Sequence, residues 1–151
     1  MKHLFSAAII GSLLFLVSCS SGGDLVYCPP LSAPVEGARA FVLTEEHNQR
    51  VDVRLNGVRA QCTAQANDTV LMEIKAGIKI TRDLKQNAES DIVVVPMMTA
   101  VLDENEEVLS NEIFGYKNGF DTDLGRLLPV FEFEMVVPAS GRAVISLTPT
   151  R

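Results

Sequence analysis

From residue 38 onward, apolar and polar residues alternate with a period of two. That spacing turns one face of a β-strand to a core and the other to water. Ala38 to Leu43 is the first such stretch. Val51, Val53 and Leu55 alternate with Asp52 and Arg54, and Val58, Ala60 and Cys62 alternate with Arg59 and Gln61. Between these halves stands Asn56-Gly57, the strongest short hairpin signal. A two-residue turn there would pair Leu55 with Val58 and put both apolar sets on one face. One long strand with a bulge at Gly57 fits equally well. Asn67-Asp68 predicts a turn. Beyond it Val70, Met72, Ile74, Ala76, Ile78 and Ile80 alternate with Glu73, Lys75 and Lys79, the cleanest strand pattern in the chain.

Arg82 to Ser90 is polar and reads as a loop. Ile92 to Leu102 has no polar face at its start, which suggests a strand covered on both sides. Pro96 conflicts with this, because it cannot donate to a ladder. One resolution is a strand beginning after Pro96, with the valine run crossing between sheets. The other is an apolar edge, Val95, Pro96, Met97 and Met98, that contacts a partner or lipid; left bare, such an edge invites aggregation. Asp103-Glu104-Asn105-Glu106 predicts a hairpin turn into Val108 to Phe114. Gly115 to Leu128 reads as an irregular connection, with room for one helical turn at Leu124 to Leu128. Phe131, Phe133, Met135 and Val137 alternate with Glu132 and Glu134, and Pro138 to Gly141 turns the chain into Ala143, Ile145 and Leu147. About seven or eight short strands without a convincing helix predict an all-β fold, a single immunoglobulin-like or fibronectin-like β-sandwich over residues 38–151.

The first residues follow a different pattern. Met1-Lys2-His3 is positive, and Leu4 to Val17 is an uncharged apolar run. At about 14 residues it is too short for a bilayer core of roughly 30 Å, and has the length of a signal-peptide core. It ends in Leu16-Val17-Ser18-Cys19, which resembles the bacterial lipobox. The resemblance implies a signal peptide over 1–18 and a Cys19 that carries lipid on its sulfur and its new amine. Acyl chains contribute about 0.8 kcal/mol per buried CH₂, and two or more give stable anchoring. Residues 19–37 then form the lipidated cysteine and a Ser/Gly/Pro-rich tether. Ser20 stands where an aspartate would retain an enterobacterial lipoprotein in the inner membrane. This similarity implies the inner leaflet of the outer membrane, facing the periplasm.

Charge and cysteine count narrow the partners. The chain carries a net charge of −6, and without Lys2 it has twelve Lys and Arg against nineteen Asp and Glu. An acidic chain of this kind is a poor nucleic-acid binder. With Cys19 assigned to lipid, Cys28 and Cys62 remain, and an oxidising envelope compartment lets them pair. That pairing would leave Ser20 to Tyr27 as the free tether. Met98 through Asp103 and Val108 to Phe114 is similar to a strand, acidic turn and strand of fibronectin-like sandwiches. Cys28-Pro29 and Cys62 also resemble positions in uncharacterised alphaproteobacterial lipoproteins, a likeness that brings no activity with it.

No catalytic constellation stands out. His47 is the one histidine beyond residue 18, in the polar stretch Glu45 to Gln49, and reads as a solvated loop residue. No Gly-x-Ser-x-Gly elbow is present. Asp121-Thr122-Asp123, and Asp103 with Asn105 and Glu107, are oxygen-rich enough for Ca²⁺ but lack the EF-hand pattern and suit turns. The expectation is a protein without enzyme activity, cofactor or metal. It would be a lipid-anchored interaction or accessory module that meets an envelope protein through strand edges or the run near Pro96. The alternative is a small-ligand or Ca²⁺-binding lipoprotein, with its site in loops at Asp103 and Gly115.

Overall fold

A computed structural model describes residues 23–84 and 88–147. The expected signal peptide and Cys19 lie outside the described residues. Those residues form nine strands: β1 (Leu31–Ser32), β2 (Arg39–Leu43), β3 (Arg50–Gln65), β4 (Thr69–Arg82), β5 (Asp91–Leu102), β6 (Val108–Phe120), β7 (Arg126–Leu127), β8 (Val130–Pro138) and β9 (Arg142–Ser146). They build two packed sheets in a β-sandwich-like arrangement. One has four strands in the order β1-β9-β5-β6; the other has five, β2-β3-β4-β7, with β8 also on β4. β1 and β7 are two-residue pieces, so the body of the sandwich is the remaining seven strands.

Asn56-Gly57 is a bulge, not a hairpin. The register slips between Leu55 and Val58, which face Ile78 and Ala76 of the same strand, β4. The apolar positions of β3 are odd up to Leu55 and even from Val58, so one extra residue returns the second set to the core. Gly57 takes a φ of 96°, which a side chain would disfavour. The long alternation of β4 supplies a partner for both halves of β3. At its other end, Asn67 and Asp68 both adopt left-handed φ in the expected turn.

β5 runs unbroken through Pro96, so the expected start after Pro96 and the crossing valine run are both corrected. β6 pairs it from Asp91 to Leu102, whereas β9 reaches only from Met98 to Leu102. The Ile92 carbonyl accepts from the Glu45 amide, on the side away from β6. Pro96 lies four residues on and faces the same way. Its missing N–H therefore falls on the side that β9 leaves unpaired. β6 also exceeds its expected length, continuing through Gly115 and Gly119 to Phe120. The helical turn expected at Leu124 to Leu128 is replaced by β7.

The core lies between the sheets. Val51, Val53, Ile78 and Ile80 from one sheet meet Val93, Val95 and Met97 from the other, all at most 1% exposed. Burying each such side chain contributes about 1.5–3 kcal/mol relative to leaving it in water. A second cluster gathers Cys62, Val70, Met72 and Val137. Cys28 and Cys62 form a disulfide, Cα to Cα 5.2 Å. Part of the stretch read as tether is built into the domain. Leu31 and Ser32 pair in parallel with Ala143 and Val144, and Asp24 and Val26 exchange backbone hydrogen bonds with Ala64 and Cys62.

Candidate functional site

The two outer faces of the sandwich differ in chemistry. The five-stranded sheet turns Arg54, Arg59, Glu73, Lys75, Glu132 and Glu134 outward, all exposed. Lys75 pairs with Glu132 across that face at 2.8 Å. The four-stranded sheet turns Ile92, Val94, Pro96, Met98 and Ala100 of β5 outward, all half-buried. Ile113 of β6 joins them at 70% exposed and Leu109 at 55%. Gly115 keeps this face close-packed, because a Cβ there would stand 2.7 Å from Val94 Cγ1. Among the described residues no third layer covers it. β5 is thus apolar on both faces, with the sandwich core on one side only.

This arrangement divides the residues expected to form an edge. Val95 and Met97 are 0% exposed and belong to the core, so they present no surface. Pro96 and Met98 lie on the outer face. The four do not act together, because a strand sends neighbours to opposite sides. The loops expected to hold a small ligand are not brought together either. Gly115 sits within β6, opposite Pro96, and Asp103 sits in the β5–β6 turn. The Asp103 carboxylate there accepts from the Asn105 and Glu107 amides at 2.8 and 2.9 Å, closing the turn.

A cleft of about 720 Å³ opens between the sheets at the edges of β6 and β8. It is closed at one end by Tyr116, which stacks on Phe131 at 3.9 Å and donates its hydroxyl to the Glu132 carbonyl at 3.0 Å. Burial raises the Tyr116 phenol above its ordinary range, so it donates at neutral pH. Next comes the Phe114–Phe133 pair, centroids 5.3 Å apart. The open part is lined by Met135 and Glu112, with Glu134 at its rim, where the charged outer face of β8 begins; these two carboxylates are the charged residues of the lining.

His47 is not the free loop residue that the sequence suggests. Its Nδ1 lies 3.0 Å from Asp91 and its Nε2 2.6 Å from Glu89. Asp91, 4% exposed, also accepts from the Glu46, His47 and Ile92 amides. Burial works against its charge, but hydrogen bonds from Thr44, from those amides and from His47 outweigh burial and hold its carboxyl well below the usual range. The Asp91 hydrogen bond, opposed by desolvation and assisted by Glu89, holds the His47 imidazole above its ordinary 6.5. Ligand atoms of Glu46, His47 and Asp91 lie within 4.8 Å of one another. Both ring nitrogens and both Asp91 oxygens are already engaged, so the cluster acts as a clamp between the β2–β3 turn and the start of β5. No sequence signal announces it, since Asp91 stands 44 residues from His47.

The clamp has a pH signature. A raised histidine pKa means that its contribution to stability is complete below about pH 6.5 and is lost as pH rises through the folded value. In urea melts of the full chain and of His47→Gln, the stability gap between the two should narrow as pH rises above about 6.5. A gap independent of pH would remove the ionic clamp.

No family model, curated protein or solved structure matches the chain.

Proposed function

We propose that this is a lipid-anchored, non-enzymatic interaction module of the bacterial cell envelope. It is held by Cys19 to the inner leaflet of the outer membrane and faces the periplasm. Its partner is an envelope protein. The observation that carries the reading is the uncovered apolar face around Pro96, Met98 and Ile113, on a domain whose opposite face is charged. Soluble domains seldom leave contiguous apolar sheet surface bare, and where they do it marks a contact site. The anchor fits this role. Asp24 is five positions after Cys19 and is already hydrogen-bonded to β3, so the domain would sit close to the membrane. The finer architecture in this reading is immunoglobulin-like or fibronectin-like. Seven main strands in two sheets, with a short first strand parallel to the last, support it.

Photo-crosslinking in intact cells tests the proposal. A probe at Met98 or Ile113 should capture a discrete envelope protein, and one at Lys75 on the charged face should not. Met98→Glu should abolish the product captured from Ile113. A Cys19→Ala variant should lose lipid labelling, stay unprocessed and lose the same product. Equal capture from both faces would overturn the docking face, and normal processing of the Cys19 variant would overturn the anchor.

A further inference from the structure

The cleft between β6 and β8 has features that the apolar face does not explain. Among the described residues no strand pairs the outer edge of β6. Its open groups can be assigned. Ile92 turns its carbonyl away from β6, so the odd positions of β5 face β6. Val95 and Met97 stand opposite Tyr116 and Phe114, so the even positions of β6 face β5. The N–H and C=O groups of Asn111, Ile113 and Gly115 therefore point outward, unpaired. Across the cleft, the Glu132 carbonyl already faces β6, where Tyr116 takes it. By the same alternation, Glu134 and Val136 turn their backbone groups into the opening.

We propose that this cleft takes an extended cationic peptide segment, added as a strand to the edge of β6 with its basic side chains against Glu112 and Glu134. The proposal rests on the interaction-module reading and names the chemistry of the partner. Three observations converge on it. The open backbone groups are solvated while the edge is bare, and an occupant that covers them must bring its own N–H and C=O; hydrocarbon would leave them unpaired, at a cost of about 1–3 kcal/mol each. Both charged lining residues are carboxylates, and among the described residues neither makes an ion pair. Two neighbouring lysines are already engaged, Lys75 by Glu132 and Lys117 by Glu45 at 3.4 Å, while Arg59 stands on the outer face beside Glu134 and outside the lining of this cleft. Finally, Phe114 and Phe133 offer ring faces that suit both apolar side chains and cations. β6 also lacks proline along its length, so nothing in its backbone interrupts a new ladder.

The test uses the full chain in nanodiscs of zwitterionic phosphatidylcholine, which do not adsorb basic peptides by charge. A fluorescent synthetic peptide alternating Lys and Val should bind saturably, and one alternating Glu and Val should not. Neutralising both carboxylates, Glu112→Gln with Glu134→Gln, should weaken binding about tenfold, the sum of two exposed ion pairs. Hydrogen exchange at the amides of Asn111, Ile113 and Gly115 should slow on binding. The inference is overturned if both peptides bind alike, if neither binds, or if the double variant binds unchanged. Should the basic peptide fail while Met98 still captures an envelope protein, this inference falls and the broader reading stands. Should both fail, both fall.

Discussion

Replacing Arg82 with alanine is expected to destabilise the protein by about 3 kcal/mol and to lower its melting temperature by about 10 °C. Arg82 ends β4 and is 3% exposed, although its polar surroundings in sequence suggest a loop. Its guanidinium donates to three backbone carbonyls: Nε to Leu124 at 2.9 Å, Nη1 to Glu89 at 2.8 Å and Nη2 to Asp121 at 2.5 Å. It also lies 4.5 Å over the Phe120 ring. Among the described residues no carboxylate pairs with it, so the carbonyl dipoles solvate the charge. One planar fork therefore holds the connection after β4 and the connection after β6 against the end of the sandwich. Alanine would strand all three carbonyls. Lysine keeps the charge but reaches fewer of them, and should recover less than half of the loss. Calorimetry of the full chain checks both variants, and hydrogen exchange should quicken around Glu89 and Leu124. A melting temperature within about 1 °C of the parent would show that the fork contributes little.

Arg82 also marks where sequence reading stops. The strands β2, β4, β8 and β9 were legible because their partners impose one buried face, which writes a period of two. The bulge at Gly57 was half legible. The apolar positions change parity there, but a hairpin satisfies the same parity, and only the length of β4 decides between them. Pro96 was misread because its tolerance depends on which edge of β5 loses its neighbour, a property of β9 some fifty positions away. The end of β6 was lost to Gly115 and Gly119, which weigh against a strand locally. Gly115 is there because Val94 occupies the space that its side chain would fill. Arg82 and His47 were illegible for a common reason. Their partners are backbone groups and carboxylates, most of them about forty positions away, and no spacing rule encodes those. The cleft was missed likewise, since it exists only where β6 and β8 meet.

Removing the disulfide with the paired variant Cys28→Ala and Cys62→Ala should cost about 3–4 kcal/mol, from the loop entropy released to the unfolded chain. The two cysteines are 34 positions apart, and the loop between them contains β1, β2 and the first part of β3. Calorimetry without reductant should place the variant more than about 10 °C below the parent, and reductant should lower the parent toward it. The loss should also be uneven. Residues 24–32 are held by the disulfide, by the backbone bonds at Asp24 and Val26, and by the two-residue β1. Few buried apolar contacts support them, so their amides should exchange early, while those of β4 and β5 exchange only on global unfolding. This segment joins the domain to Cys19, nine positions before Cys28. In the proposed arrangement, the staple moves the point of attachment from a frail edge to Cys62, which is 2% exposed and packed with Val70, Met72 and Val137. The paired variant should therefore keep its lipid yet lose a fixed stance at the membrane. Crosslinking from Met98 should then fall although the docking face is unchanged. If the variant melts as the parent does and crosslinks as well, the disulfide is dispensable for both stability and posture.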